Sequence, residues 1–259
     1  MYSNTRSLLI KAECVEPDFR AFMEITPLGD AALIIRLRPD SEAGTDETLA
    51  AVLDAKQRLL AAGIPGAVEF ATAYTTVAVF YDPIRAVEGG ASIESIFEWL
   101  TGKIEAVLAT RSPRKLRLLD RDLIEIPVCY IGNLALDLEE VARHAQLTPD
   151  EVIQRHSAPE YRVQCVGFTP GFPFLSGLPP ELSTPRRASP RSKVPAGSVA
   201  IGGAQTGIYP IQSPGGWNII GRTPLPLFDV RRDPPVRLQA GDRVRLRPIS
   251  HEEFENWKE

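Results

Sequence analysis

The sequence predicts an α+β protein, in which a small N-terminal domain of order ββαββα precedes a larger, mostly-β domain rich in turns. Three observations carry that expectation. In the first half, two segments repeat apolar residues at helical spacing, and a pair of short apolar runs precedes each. Between Gly167 and Pro226 stand ten of the 19 glycines and eleven of the 23 prolines, so fixed turns there separate short strands. The same stretch holds Phe168, Phe172, Phe174, Tyr209 and Trp217, aromatic residues that a flexible linker would lack.

Residues 1–19 read as a leader whose apolar core, Leu8 to Ile10, is too short for a signal peptide. The N-terminal domain is expected over 20–111. Its first two strands, Ala21 to Thr26 and Ala31 to Leu37, flank the hairpin signature Pro27-Leu28-Gly29-Asp30. A helix over Thr45 to Ala62 follows, with Leu49, Val52, Leu53, Leu59 and Leu60 on one side and Gly63 at its end. Ala67 to Ala73 and Thr76 to Tyr81 form a second strand pair, closed by Asp82-Pro83. Ser92 to Ala109 shows one apolar stripe through Ile93, Ile96, Phe97, Leu100, Ile104, Val107 and Leu108, and predicts the second helix.

A proline and nearby basic groups make 112–116 the expected linker, and 117–250 the second domain. It opens with a strand over Leu123 to Tyr130. Two short helices follow, one from Asp137 to Gln146 and one begun by a capping box at Thr148, Pro149 and Glu151. Strands then recur to Pro248, and 251–259 are left as a C-terminal tail.

A net charge of -4 leaves no electrostatic footprint for nucleic acid or an anionic membrane. The helical pair has the outline of a helix-turn-helix, but its second helix opens on Asp150 and Glu151 and offers only Arg155 and His156 to a phosphate backbone. No run approaches the roughly 20 apolar residues that span a bilayer. Three widely spaced cysteines, Cys14, Cys129 and Cys165, fit a reducing cytoplasm better than a disulfide scaffold. No CxxC, HExxH or GxxxxGK[ST] occurs, so neither a metal site nor a phosphate-binding P-loop is expected.

Candidate chemistry gathers in the turn-rich stretch. Pro185 to Lys193 carries Arg186, Arg187, Arg191 and Lys193, and guanidinium forks suit bidentate capture of a carboxylate or phosphate. Arg186 and Arg191, each beside a proline, are the expected pair; a solvated surface loop is the alternative. Gln205 to Pro210 and Ser213 to Asn218 are expected as two loops around one short strand. Gln205, Tyr209 and Ser213 there supply an amide, a phenol and a hydroxyl. Gly215 and Gly216 open their backbone N–H groups to a ligand, and Trp217 serves either as a stacking wall or as a core anchor. Phe172, in the run Gly167 to Phe174, offers an aromatic wall. Cys129 and Cys165 read as buried, inert thiols.

The order of blocks identifies a family. GFTPGFPFL with GLP, the PR repeats before VPAGSVAI, then QTGIYP, SPGGW and IGRTPLPLFD resemble the B-subunit family of 5-oxoprolinase, also called KipI or allophanate hydrolase subunit 1. IPVCY, DLEEVA and GDRVRLRPI extend the likeness. The resemblance implies that the second domain is a cyclophilin-like β-barrel with the helical pair as an insertion. It also implies a subunit of a bacterial ATP-dependent 5-oxoprolinase that opens 5-oxoproline to glutamate, together with 5-oxoprolinase subunits A and C.

A lactam carbonyl is a poor electrophile, so ATP would serve to phosphorylate its oxygen before water attacks. Such a site needs an anion clamp and donors aimed at developing charge. Arg186 and Arg191 take the clamp, Gln205 and Tyr209 the orienting role, Phe172 and Trp217 the walls, with Ser213, Gly215 and Gly216 lining. The only carboxylates between Val166 and Val230 are Glu181 and Asp229, so no general base stands out. That deficit points to a shared site, inactive in this chain alone, with ATP held at or by a partner subunit. The same motifs fit two other readings, a KipI-like inhibitor of a sensor histidine kinase and a carboxyltransferase-like subunit of a urea or allophanate system.

Overall fold

The computed structural model describes residues 23–37, 45–110 and 122–258. The expected leader and linker lie outside the described residues. In the N-terminal part, β1 (Met23–Pro27), β2 (Ala32–Leu37), β3 (Ala67–Ala73) and β4 (Thr76–Tyr81) form an antiparallel sheet of order β1-β2-β4-β3. Helices α1 (Thr45–Ala62) and α3 (Ile96–Ala109) pack on it, burying Val52, Leu59, Leu100, Ile104 and Leu108 with Leu33, Ile35, Val77 and Val79. The helical stripes are shorter than expected. Leu60 faces solvent, and Ile93 lies before Ser95, the N-cap of α3, where it is exposed.

One further helix, α2 (Pro83–Glu88), changes the order to ββαββαα. Asp82-Pro83 ends strand β4 as expected, but the same pair starts this helix. The Asp82 carboxylate accepts from the backbone N–H groups of Ile84 (2.9 Å) and Arg85 (3.3 Å), and proline fits the first turn.

The larger part is a seven-stranded sheet made of β5 (Leu123–Val128), β6 (Glu160–Val166), β7 (Pro173–Ser176), β9 (Ser198–Gly202), β10 (Gln205–Ile208), β12 (Asn218–Arg222) and β13 (Arg243–Pro248), in the order β12-β9-β10-β7-β6-β13-β5. Strand β8 (Arg191–Val194) pairs separately with β11 (Ser213–Gly215). Strand β13 lies between β6 and β5, antiparallel to the first and parallel to the second. The two edges then meet: Cys129 and Arg222 exchange backbone hydrogen bonds of 2.8 Å in both directions, which curls the sheet back on itself into the expected barrel form. Its interior is apolar, with Ile126, Val128, Val163, Leu175, Val199, Ile201, Ile208, Val244 and Leu246 alternating inward.

Helices α4 (Leu138–Ala145) and α5 (Pro149–Ser157) cover one end, and the Thr148–Glu151 capping box is present. Of the two basic groups that the second helix offers, His156 is buried in the core and Arg155 is tied to Glu181 at 2.9 Å. The expected tail also folds. Helix α6 (His251–Glu255) starts from a second capping box, Ser250 with Glu253, and Phe254 and Trp257 pack near Cys129, Leu134 and Ile249.

The two parts touch. Arg162 of β6 reaches Asp46 of α1 at 3.4 Å, Ala240 packs against Leu49 and Leu53, and Tyr74 in the β3–β4 turn meets Gln205. Among the described residues no helix is long and apolar enough to cross a membrane, and no cluster of His, Cys, Asp and Glu could hold a metal ion.

Candidate functional site

A recess of about 310 Å³ opens on the turn-rich side of the barrel, walled by Phe168, Phe172, Phe174, Tyr209 and Trp217 and edged by Arg186, Arg187 and Gly215-Gly216. Phe172 meets Tyr209 and Trp217 edge-on and Phe174 at a tilt of 57°. Phe172 stands 5.1 Å from Tyr209 and 5.6 Å from Trp217, with interplanar angles of 83° and 89°, and Phe174 is 4.8 Å from Phe172. Edge-to-face contacts are the favoured geometry for quadrupolar rings, so the wall is stiff.

Two glycines make room for it. A Cβ on Gly202 would sit 2.5 Å from the Trp217 ring, and one on Gly215 would strike the Tyr209 hydroxyl. Phe168, at the rim, is 65% exposed and has φ of 68°, a left-handed backbone uncommon for a bulky side chain.

Of the residues that the sequence singled out, Phe172, Arg186, Tyr209, Gly215, Gly216 and Trp217 share this recess. Trp217 is both wall and core anchor. It is 6% exposed, and the Arg186 guanidinium lies over its ring at 5.8 Å to the centroid, within cation–π range. Tyr209 is nearly buried. Desolvation raises its phenol pKa, while a backbone hydrogen bond from Trp217 works against that shift.

The other three lie elsewhere. Ser213 belongs to β11, with a buried hydroxyl that lacks a protein partner among the described residues. Gln205 is not on a loop but on strand β10, where it pairs with Gly202 of β9 while the next two residues pair with β7, and its amide contacts Tyr74. Arg191 is on β8 and faces inward.

The two arginines expected to act together therefore differ in kind. Arg191 donates to both oxygens of Asp137, at 2.8 Å each, and Arg187 donates to one of them at 2.7 Å. Asp137 is 4% exposed and also accepts from the Ile219 backbone N–H at 2.7 Å. Four donors on one carboxylate form a charge-assisted knot that pins the basic stretch to strand β12. Among the described residues Arg186 has no carboxylate partner of this kind, so the second cation at the recess is Arg187, not Arg191.

Sequence reasoning missed Asp137 as a partner for the arginines because it lies far from the Gly/Pro-rich stretch. The available signal was an acid at the first position of a helix. Asp137 sits there as N-cap yet makes no side-chain cap bond, since its carboxylate is committed across the fold.

Behind the recess runs a buried chain. The Thr206 hydroxyl donates to the Ala200 carbonyl (3.1 Å), so its oxygen accepts from His156 Nε2 (2.9 Å). His156 Nδ1 then accepts from the Tyr130 hydroxyl (2.9 Å). Burial depresses the His156 pKa to about 3 and raises those of Tyr130 and Tyr161, so all three stay neutral. Burial also pushes the Cys165 thiol up to about 11 and raises that of Cys129, which leaves both cysteines poor nucleophiles.

A second cleft, of about 450 Å³, lies between the two parts of the chain. Its charges are mutually engaged, Arg162 with Asp46 and Arg243 with Glu160 (2.5 Å), so it reads as a seam rather than as a site.

Residues 23–238 match the family model of the carboxyltransferase domain, subdomain C and D. The chain is 42% identical to the 5-oxoprolinase B subunit of Bacillus subtilis (strain 168) over 237 residues, 91% of this chain and 97% of that protein. It is 59% identical to the 5-oxoprolinase B subunit of Haemophilus influenzae over 123 residues, 48% of this chain and 58% of that one. Among solved structures, that of TTHA0988 superposes with a TM-score of 0.68 at 36% identity, covering 85% of this chain and 40% of the other.

Proposed function

The chain belongs to the B-subunit family of 5-oxoprolinase, and from that premise we propose that it is the corresponding component of an ATP-dependent 5-oxoprolinase complex. The complex opens the five-membered lactam of 5-oxoproline to L-glutamate, with partner subunits A and C, in the cytoplasm. In this reading the recess takes the lactam. Phe172 and Trp217 cover its faces, and Arg186 holds its carboxylate. The observation that carries this is the Arg186 guanidinium held over the Trp217 ring, at cation–π distance, at the mouth of an aromatic recess. A guanidinium already held against an aromatic ring has less side-chain entropy to lose when it takes a carboxylate. Tyr209 and the Gly215-Gly216 backbone complete the lining.

The donor set does not suit a nucleotide triphosphate. Arg187 is shared with Asp137, and Arg191 is wholly engaged by it, so among the described residues of the recess a single guanidinium remains for a ligand. We therefore assign the nucleotide to a partner subunit and derive no step through it. Among the described residues lining the recess none is a carboxylate, and Asp137 is already occupied by four donors. The group that activates water belongs, on this reading, to a partner subunit as well.

Reconstitution tests the proposal. The purified chain alone should release no glutamate from 5-oxoproline and ATP, whereas the chain mixed with subunits A and C should. Arg186→Ala should assemble normally yet lose turnover by about 10²-fold, the scale of a charge-assisted pair. Full activity in the isolated chain, or an unchanged Arg186→Ala complex, would refute it.

A further inference from the structure

Tyr74 occupies the turn between β3 and β4, with φ of 47°. A left-handed backbone there suits glycine or asparagine; an aromatic residue holds it against a steric cost. Something must select the ring, and the structure gives it two partners, Gln205 and Phe174, both on the other part of the chain. The Tyr74 hydroxyl oxygen lies 2.9 Å from Gln205 Nε2 and 3.1 Å from Gln205 Oε1, so the phenol accepts from one amide atom and donates to the other. Its ring meets Phe174 edge-on at 6.4 Å between centroids.

Each partner leads inward. Phe174 packs on Phe172 and Trp217, two walls of the recess. Gln205 precedes Thr206, whose hydroxyl ends the buried chain through His156 and Tyr130. Strand β10 pairs with β7 at Thr206 with Leu175 and Gly207 with Phe174, so both contacts of Tyr74 fall on one short patch of sheet. The patch underlies the recess.

We infer that Tyr74 is a positioning residue: the N-terminal sheet braces the recess through the Tyr74–Gln205 and Tyr74–Phe174 contacts. The ligand site is thereby a product of both parts of the chain. Gln205, expected from the sequence to orient a ligand, instead receives this brace. The inference rests on reading the recess as the ligand site. A merely structural Tyr74 would stabilise the seam between the two parts without affecting the recess.

The test uses the full chain with Tyr74→Phe, which keeps the ring and loses the hydroxyl, and Tyr74→Asn, which tolerates the left-handed backbone and loses the ring. Hydrogen exchange is followed at Pro173–Ser176 and Gln205–Ile208, with β5 and β13 as internal controls. In parallel, 5-oxoproline is titrated against tryptophan fluorescence. Tyr74→Asn should exchange about tenfold faster at the two segments while β5 and β13 stay unchanged. It should bind the probe about tenfold more weakly, and Tyr74→Phe about threefold, the range of one neutral hydrogen bond. A cycle with Gln205→Ala should show the hydroxyl's share vanishing once the amide is gone.

If the wild-type chain ignores 5-oxoproline while exchange still responds locally, the ligand assignment in the proposed function fails and the brace stands. Unchanged exchange at both segments in both variants overturns the brace, whatever the probe does. So does exchange that rises equally throughout the barrel.

Discussion

Replacing Asp137 with asparagine keeps the shape of the side chain and removes its charge. The amide oxygen can still accept from the Ile219 N–H, but Arg187 and Arg191 lose a carboxylate bound through three contacts of 2.7 to 2.8 Å. Stripping one member from a fully buried ion pair costs roughly 3–5 kcal/mol, because the remaining charge stays desolvated. Here the arginine side chains keep 33% and 23% of their exposure, so water recovers part of that loss. We expect about 2–4 kcal/mol.

Urea unfolding followed by tryptophan fluorescence measures it, Trp217 and Trp257 reporting on the barrel. The discriminating arm is a double-mutant cycle with Arg191→Met. Once Arg191 is neutral the carboxylate has less to hold, so the double variant should be more stable than the summed single losses by about 1–2 kcal/mol. An Asp137→Asn protein within about 0.5 kcal/mol of wild type, or strict additivity, would refute the claim that this carboxylate pins the basic stretch.

Three further outcomes are expected. His156 is neutral in the fold with a pKa of about 3, below its unfolded value of about 6.5, so the unfolded chain binds the extra proton between those values and stability falls as pH drops through that window. Denaturation at pH 7, 6 and 5 should lose up to about 1.4 kcal/mol per unit below 6.5; a flat profile, or the same slope in His156→Gln, would contradict it. Gly202→Ala pushes a methyl into the Trp217 ring, which should cost about 1–3 kcal/mol and shift the fluorescence maximum; a silent variant would mean that the indole is not clamped there. Arg186→Lys keeps the charge but loses the planar fork, and should weaken 5-oxoproline binding about tenfold without altering the unfolding midpoint. Equal affinity would leave the cation–π contact with Trp217 without a function.

What the sequence made legible was local. The Pro27–Asp30 hairpin, the amphipathic stripes of α1 and α3 and the Thr148 capping box each lie within a few residues of their partners, so pattern alone suffices. The same grammar was present and unread at Asp82-Pro83 and at Ser250 with Glu253, where a strand stop and a tail proved to be helix starts. The gathering of Phe172, Arg186, Tyr209 and Trp217 was visible because all four belong to one turn-rich stretch. Asp137 with Arg191, and Tyr74 with Gln205, were not, since each pair joins distant segments and no periodicity encodes which surface meets which. The loops expected at Gln205 and Ser213 became strands for a related reason: short Gly/Pro-flanked runs look like turns until cross-strand partners are known.

The threading of β13 between β6 and β5 has a consequence for biogenesis. Leu123, at the start of β5, finds its neighbour only after Arg243 of β13 has been synthesised. Until then β5 lacks its ladder partner along its length, and the apolar interior has no completed wall. Such an intermediate exposes a strand edge capable of joining other nascent chains. Yield in heterologous expression should therefore respond to slower synthesis and lower temperature more than to changes in the N-terminal sheet, whose strands pair with near neighbours and assemble early.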